Sequence, residues 1–211
     1  MENQNNIPML VIRRMTKYHA YLRKLVINDV VIISSKKFGE IIGFTASQIR
    51  RDLNYFGDFG TQRIGYNVKE LLIEINGILG LLKKHNMIII GANNIGKAIA
   101  NYTRYKQSNF KLVGIFDVNP ELIGLTFQNI KVLGIDKLVS FLKTTPTDIG
   151  IICVSKNYAQ TVTDMMVENG VKCIFNITPI DLKVPKETIL ENINLTNSLL
   201  TLRCLMNDRI Y

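Results

Sequence analysis

The feature of the sequence that most constrains the fold is the alternation of apolar runs and helical stretches that begins at Met87. A run without polar interruption, such as MIIIG at residues 87–91, is typical of a strand buried on both faces of a parallel sheet. Further strands are predicted at residues 112–117, 131–133, 149–154 and 172–176, and helices at 95–106, 136–142 and 158–169. This order predicts an α/β fold in which helices cover a parallel sheet.

The first of these strands runs into the turn GANNIG, residues 91–96. In a GxGxxG dinucleotide turn, the first glycine allows the tight turn, the second lets the backbone approach the pyrophosphate, and the third lets helix and strand pack closely. Gly91 and Gly96 meet the first and third demands, whereas Asn93 stands at the second. Asparagine is the least damaging replacement for glycine there, because it tolerates the positive φ expected at this position. Its side chain nevertheless occupies space near the phosphate. Asp117, which ends the next strand, is expected to accept both ribose hydroxyls, so these residues predict a Rossmann-type nucleotide-binding domain.

The N-terminal part of the chain is basic and has a helix-turn-helix pattern. Residues 1–85 carry +6 of the formal net charge of +9, which favours a polyanionic partner. Helices are predicted at residues 9–27, 36–42 and 47–55. Gly43 separates the second helix from the third, the arrangement of a helix-turn-helix.

A glycine-punctuated hairpin with a basic tip follows the third helix. In GTQRIGYNV, residues 60–68, Arg63 is predicted at the tip, and a helix follows at 68–82. Glutamine and arginine can bond bases bidentately in the major groove, and any cation can bind phosphate. The third helix carries such side chains at Ser47, Gln48, Arg50 and Arg51. The alternative is that these side chains form a solvated charged helix face. The preceding helix, the hairpin, which would be the wing of a winged helix, and the charge asymmetry favour DNA binding.

The sequence offers little for catalysis. His19 and His85 stand alone, and no Ser/His/Asp or paired-carboxylate spacing is present. Tyr102 and Lys106 have the i, i+4 spacing of a reductase pair, but an ordinary packed tyrosine is the preferred interpretation. We therefore expect a protein that is not an enzyme.

Cysteine usage and hydropathy exclude other classes. Cys153, Cys173 and Cys204 are widely spaced and lack histidine partners, so we expect small buried hydrophobic residues and no metal site or disulfide framework. No apolar run approaches the roughly 18 residues of a membrane span, and the N-terminus lacks a signal-peptide pattern. A cytoplasmic location without membrane association is expected.

Over most of its length the chain resembles the Rex family of redox-sensing transcriptional repressors. The matching stretches, in family order from about residue 7 to 208, are IRRDLNYFG, GTQRIGYNV, IIIGANNIGKAIANY, FDVNPELIG, NITP, VPKE and ENINL. The resemblance implies a winged-helix DNA-binding domain at 1–84, a Rossmann nucleotide-binding domain at 85–193 and a C-terminal helix at 194–211. That helix, apolar from 195 to 207, would be exchanged between the subunits of a homodimer.

The resemblance also implies a function and a set of site residues. The protein would repress transcription by binding a pseudo-palindromic operator in double-stranded DNA, and would release it when NADH replaces NAD. The implied DNA contacts are Ser47, Gln48, Arg50, Arg51, Tyr55, Arg63 and Tyr66. The implied contacts to NAD or NADH are Gly91, Ala92, Asn93, Asn94, Ile95, Gly96, Tyr102, Asp117, Val118, Val154, Ser155, Asn176 and Thr178.

The chain departs from the family mainly on the ligand side. Typical members have glycine at Asn93, aspartate at Asn119, proline at Ser155 and phenylalanine at Ile177. They also carry an aspartate at Asn194 that pairs, in the DNA-binding form, with an arginine at Ala20, and this pair alternates with a bond to the tyrosine at Tyr102. Two further hypotheses therefore stay open. The regulator responds to another adenine nucleotide or ignores redox state, or, more remotely, the chain is a small NAD(P)- or CoA-binding enzyme.

Overall fold

A computed structural model describes residues 7–61, 64–102 and 109–206 of the chain. The chain divides into two compact units, an N-terminal unit, Met1–Lys83, and a C-terminal unit, Lys84–Tyr211. The N-terminal unit contains helices α1 (Met9–Ile27), α2 (Ser35–Ile42), α3 (Ala46–Asn54) and α4 (Val68–Ile78), together with the antiparallel strands β1 (Ile32–Ile33) and β2 (Tyr66–Asn67).

The helix-turn-helix formed by α2 and α3 follows from capping residues and one close approach. The hydroxyls of Ser34 and Thr45 accept backbone N–H bonds at the starts of α2 and α3. Gly43 ends α2 in the left-handed region, with φ of +77°. A Cβ at Gly39 would overlap the carbonyl oxygen of Phe44, so glycine is required where the turn folds back on α2. The predicted helix-turn-helix is confirmed.

A single apolar core holds the N-terminal unit together. Its fully buried side chains come from all four helices and include Met15, Tyr18, Leu22, Phe38, Ile49, Leu53, Leu71 and Ile75. Their recurrence every three or four residues explains why the helical periodicity of the sequence was informative.

Helix α4 is shorter than predicted. It ends at Ile78 and does not reach residue 82, because Gly80 adopts φ of +66°. The backbone N–H of Leu81 then bonds to the carbonyl of Asn76, and that of Gly80 to Gly77. These two bonds form a Schellman ending, which satisfies the last carbonyls of the helix.

Within the described part of the C-terminal unit, seven strands form one sheet in the order β5-β6-β4-β3-β7-β8-β9. Neighbouring strands pair in parallel apart from β5, which is antiparallel to β6. The strands are β3 (His85–Ile90), β4 (Phe110–Asp117), β5 (Thr126–Phe127), β6 (Ile130–Gly134), β7 (Ile149–Ile152), β8 (Cys173–Asn176) and β9 (Ile189–Asn192). The helices are α5 (Asn94–Ala100), α6 (Leu138–Thr144), which a 3-10 turn (Ile135–Lys137) precedes, α7 (Lys156–Glu168) and α8 (Leu195–Leu205).

Both faces of this sheet are buried, as the unbroken apolar runs predicted. In β3, Ile88 and Ile90 pack in one core cluster with residues of α6 and α7, while Met87 and Ile89 pack on the other face with Ala100 of α5. The α/β class and the Rossmann-type sheet are therefore confirmed.

Several elements differ from the sequence prediction. The strands β5 and β9 were missed because each is short and pairs with one neighbour only, at an edge of the sheet. Helix α5 ends at Ala100, whereas the prediction extended it to residue 106, and residues 103–108 lie outside the described part of the chain.

Helix α8 is capped by Asn194, whose side chain accepts the backbone N–H of Asn197 at 3.2 Å. Its leucines are 50–65% exposed: Leu195, Leu199, Leu200, Leu202 and Leu205. Cys204 on the same helix is also exposed, which contradicts the expectation that the cysteines are buried; Cys153 is buried and Cys173 half-buried. Among the described residues, no helix is long and apolar enough to cross a membrane.

Candidate nucleotide site and nucleic-acid interface

The glycine turn after β3 is built by steric demands at its two outer glycines. Gly91 has φ of +108°, and a Cβ there would lie 2.7 Å from the carbonyl carbon of Cys153 and 2.9 Å from the backbone nitrogen of Val154. A Cβ at Gly96 would overlap the carbonyl oxygen of Gly91. Only glycine therefore lets the turn pass beside the end of β7 and lets α5 pack against it.

The turn lies where the strand order of the sheet reverses. β3 is the central strand, with β4 on one side and β7 on the other. The chain runs from β3 outward to β4 and β6 and then crosses back to β7 on the other side of β3. In open α/β sheets such a reversal leaves a crevice outside the carboxyl ends of the two strands between which it occurs, here β3 and β7. This switch point is where open α/β sheets bind their ligands.

The carboxylate of Asp117, at the carboxyl end of β4, holds the turn in place. It is buried and accepts the backbone N–H of Ala92 at 2.5 Å and that of Asn119 at 2.8 Å. Each carboxylate oxygen keeps a further acceptor position. Asp117 thus fixes the start of the turn and can still accept a hydroxyl from a ribose.

Asn93 does not stand in the backbone conformation that the sequence suggested. Its φ and ψ are −69° and −175°, which is extended backbone that any residue adopts, so the positive φ predicted for Asn93 is wrong. Its side-chain oxygen accepts the backbone N–H groups of Ile95 and Gly96, each at 3.1 Å. Its amide nitrogen donates to the carbonyl oxygen of Cys153 at 2.5 Å. Asn93 is therefore the N-cap of α5 and also ties the turn to the end of β7.

The far wall of the crevice is a polar network after β8. Asn176 is fully buried, and its amide donates to the carbonyl of Ile180 and to the side chain of Asn192. Its oxygen accepts the backbone N–H of Thr178, whose hydroxyl donates to the carbonyl of Val154. The predicted ligand residues Asn176 and Thr178 are therefore committed to shaping the loop between β8 and β9. Sequence reasoning missed Asn192, because nothing in a single chain links it to Asn176.

The remaining predicted ligand residues separate into two groups. Those next to the crevice are exposed: Asn94, Ile95, Val118 and Ser155. Tyr102 lies beyond the opposite end of α5, where it lines a cavity of about 390 Å³ with residues that include Met87, Ala100 and Phe110. The structure therefore does not bring Tyr102 to the glycine turn.

Helix α3 has a polar face that is exposed and an apolar face that is buried. Ile49 and Leu53 are fully buried, whereas most of the predicted DNA contacts lie on the surface: Ser47, Arg50, Arg51 and Tyr55 are exposed, and Gln48 is partly exposed. The Arg50 guanidinium donates to the Ser35 hydroxyl at 2.8 Å, which links α3 to the start of α2. This is the geometry that a recognition helix needs.

The wing agrees with the prediction in part. Thr61 and Gly65 exchange two backbone hydrogen bonds of 3.0 Å each and so close a hairpin. Arg63, predicted at its tip, lies outside the described residues. Tyr66 is only 7% exposed and packs in the core, and burial raises the pKa of its hydroxyl. Its ring thus packs beneath the wing, next to Gly60, and the direct DNA contact predicted for it stays a prediction.

A buried ionic cluster that the sequence analysis missed joins α1 to α3. Asp52 is 1% exposed and accepts two bonds from the Arg14 guanidinium, at 2.5 and 2.7 Å, and one from the Tyr18 hydroxyl at 2.6 Å. The hydrogen bond to Asp52 raises the pKa of Arg14, and burial followed by this same carboxylate raises that of Tyr18. The available signal was that Asp52 lies three residues after Ile49, on the buried face of α3.

The described residues offer no group of histidine, cysteine and acidic side chains that could hold a metal ion. Burial raises the pKa of the Cys153 thiol, beside the glycine turn, to about 12, which disfavours the nucleophilic thiolate.

Each of the two units matches a known protein family. Residues 6–54 match the family described as "Putative DNA-binding protein N-terminus", and residues 82–180 match "CoA binding domain". Redox-sensing transcriptional repressor Rex of Clostridium botulinum strain Hall is 55% identical over 207 residues, which cover 98% of this chain and 99% of that protein. The Rex of strain Eklund 17B is 55% identical over 202 residues, 96% of each chain.

The chain is also similar to solved structures over nearly its full length. The structure of RSP in complex with beta-NAD+ and operator DNA has a TM-score of 0.94 and 49% identity, covering 98% of this chain and 95% of that one. RSP in complex with beta-NADH has a TM-score of 0.89 and 48% identity, covering 98% and 97%. At this identity over nearly the full length, the chain belongs to the Rex family of redox-sensing transcriptional repressors.

Proposed function

We propose that this protein is a DNA-binding transcriptional repressor that senses the NADH/NAD ratio. The observation that carries the proposal is that one chain combines an exposed polar, basic face on α3 with a glycine turn at the switch point of a Rossmann sheet. RSP, a Rex-family repressor of the same fold, has been solved with NAD+ and operator DNA together. Members of the family are transcription regulators, so the remote alternative of a small enzyme falls away.

The domain assignment follows from this proposal. Residues 1–84 would form the winged-helix DNA-binding domain, 85–193 the Rossmann nucleotide-binding domain and 194–211 the helix that joins two copies. Operator DNA is a cytoplasmic partner in a bacterial cell, so we place the protein in the cytoplasm.

On the DNA side, α3 would enter the major groove. Gln48 and Arg51 would reach base edges, while Ser47, Arg50 and Tyr55 would contact the phosphate backbone. Ser35 orients the Arg50 guanidinium through the bond of 2.8 Å. The wing, with Arg63, would contact the adjacent backbone.

Operator recognition would need two copies of the chain. Two recognition helices must reach successive major grooves about 34 to 36 Å apart. Helix α8 supplies a means of pairing, because its leucines are half or more exposed and a second copy would bury them. We therefore infer a homodimer joined through α8.

The crevice fits a dinucleotide in most respects. Gly91 and Gly96 leave the backbone free of side chains, and Asp117 keeps acceptor positions for ribose hydroxyls. Ala92, Asn94, Ile95, Val118, Val154 and Ser155 surround the same strand ends, while Asn176 and Thr178 would position the far wall. Tyr102 would act at a distance from the turn. A bound dinucleotide supplies no bond-making chemistry here, only binding energy that must differ between the two DNA-binding states of the dimer.

A second candidate keeps the DNA function and changes the effector to another adenine nucleotide, or to none. The observation that favours it is that Asn93 caps α5 where the family has glycine. The residue types at Ile177, Asn194 and Ala20 point the same way.

Two measurements test the proposal. A mobility-shift assay at fixed salt should show a palindromic Rex-type operator bound in preference to a random duplex, since phosphate contacts alone give no sequence preference; equal binding would exclude the repressor function. Titration calorimetry should then show tighter binding of NADH than of NAD. Tighter binding of ATP than of either dinucleotide would instead select the second candidate.

A further inference from the structure

We propose that the side chain of Asn93 competes with the ligand's pyrophosphate for the backbone donors of the glycine turn, and so raises the dinucleotide concentration needed to fill the site. The inference rests on the proposed nucleotide function of the crevice. It makes Asn93 a determinant of affinity in this chain.

The competition follows from which groups Asn93 binds. Its side-chain oxygen accepts the N–H of Ile95 and of Gly96, at 3.1 Å each. In a Rossmann turn, the N–H groups at the start of this helix are the donors that bind the pyrophosphate. A phosphate oxygen that takes these N–H groups must displace the side chain of Asn93.

The other end of the same amide is also occupied. Its nitrogen donates to the carbonyl of Cys153 at 2.5 Å, so the side chain bridges the turn after β3 and the end of β7. Displacement of the Asn93 side chain therefore breaks three hydrogen bonds, and the phosphate replaces Asn93 as the acceptor in two of them. Because Asn93 is exposed, water replaces most of what the freed amide loses, and the net cost is a factor of about 10 in affinity, equivalent to about 1.4 kcal/mol.

The backbone makes this effect separable from the path of the turn. With φ of −69° and ψ of −175°, position 93 accepts any residue without strain. Substituting glycine or alanine at Asn93 therefore removes the cap and leaves the turn as it is.

The effect should not depend on the redox state of the ligand. NAD and NADH carry the same pyrophosphate and differ in the nicotinamide ring, which does not reach this cap if the pyrophosphate lies on α5. Asn93 should therefore lower both affinities by the same factor. The residue sets the concentration threshold of the sensor and leaves its NADH/NAD discrimination unchanged.

The test is titration calorimetry of the full-length protein and of N93G and N93A with NADH, NAD, ADP and adenosine. We expect N93G to bind NADH, NAD and ADP about 10-fold more tightly than wild type, with adenosine unchanged because it has no phosphate. N93A should show the same direction of change, which keeps the test valid if N93G folds poorly.

Asn67→Ala provides the matched control. Asn67 caps α4 with the same two-bond geometry, accepting the N–H of Lys69 and Glu70 at 3.1 and 3.2 Å, but it lies in the N-terminal unit. N67A should lower the stability of its helix as N93A does, without a change in nucleotide affinity.

The outcomes separate the inference from the function on which it rests. If wild type binds NADH and the Asn93 variants bind NADH and ADP no more tightly, the inference is overturned and the proposed function stands. Weaker binding by N93G also overturns it, since the amide would then assist the phosphate. If neither wild type nor the variants bind any dinucleotide, both fail.

Discussion

At the scale of single residues, the buried carboxylate of Asp52 connects two helices of the DNA-binding unit. Two bonds from Arg14 and one from Tyr18 compensate its desolvation. Because Asp52 lies on α3 and its partners on α1, the cluster fixes how the exposed face of α3 is presented.

Asp52→Asn should destabilise the protein by about 3 kcal/mol, the cost of breaking a buried ion pair when one partner, Arg14, keeps 18% of its side-chain surface exposed. Urea denaturation followed by circular dichroism measures this. Glu40→Gln is the control, because its pair with Lys37 at 3.7 Å is exposed and should change stability by less than about 0.5 kcal/mol. Equal effects of the two variants would remove the structural role assigned to the cluster.

His19 gives the N-terminal unit a dependence on pH. Burial, and then the charge of Arg23, lower its pKa below the ordinary value of 6.5. The unfolded chain therefore binds more protons between that lowered pKa and 6.5. The stability contributed by neutral His19 is present above about pH 6.5 and is lost as the pH falls through the lowered folded pKa.

Thermal unfolding between pH 7.5 and pH 5 should show this loss in the wild type and a smaller loss in His19→Gln. The two proteins differ only at residue 19, so the difference between their pH profiles reports this residue. A loss of stability that is equal in the two proteins would contradict the assignment to His19.

At the scale of elements, the glycine turn links three of them, because β3, β7 and α5 can approach only where Gly91 and Gly96 have no side chain. Gly91→Ala should cost about 3–5 kcal/mol, the sum of strain at positive φ and overlap with the backbone of Cys153. It should also abolish nucleotide binding.

Gly170→Ala separates these two contributions. Gly170 has a similar φ of +93°, but a Cβ there meets nothing within 4 Å. Its substitution should cost only the backbone strain, about 1–2 kcal/mol, with nucleotide affinity retained. If chemical denaturation gives G91A and G170A the same stability, the close approach to β7 is not limiting.

The elements also show what the sequence could and could not predict. Helices α1 to α3 were predictable because one helical period of apolar residues dominates each. The central strands were predictable because their apolar runs are unbroken, as in Ile88 to Ile90. The bond that ties the N-cap of α5 to the end of β7 and the wall formed by Asn176 were not predictable, because both depend on residues distant in the chain, Cys153 and Asn192. Edge strand β9 was missed for the same reason, since its strand character comes from pairing with β8.

At the scale of the whole molecule, α8 decides the oligomeric state that we propose. At 100° per residue, Leu195, Leu199 and Leu202 lie on one side of the helix, and Thr201 lies about 125° away from their centre. A second copy that packs on the leucine side would desolvate residue 199 and leave residue 201 near water.

Leu199→Glu should therefore convert a dimer to a monomer and reduce operator affinity at least 100-fold, while nucleotide binding persists. Thr201→Glu should remain dimeric. Light scattering coupled to size-exclusion chromatography gives the mass of each variant, and a monomeric wild type or a dimeric L199E would exclude pairing through this face.

The register of the central strand has a consequence for the order in which the chain folds during synthesis. Met87 of β3 pairs with Ile149 of β7, 62 residues later, so the sheet cannot close around its centre until β7 has been translated. At about 5 to 20 residues per second, this leaves β3 without that neighbour for about 3 to 12 s. The N-terminal unit ends at residue 83. This DNA-binding unit would therefore fold on the ribosome while the nucleotide-binding unit is still being synthesised.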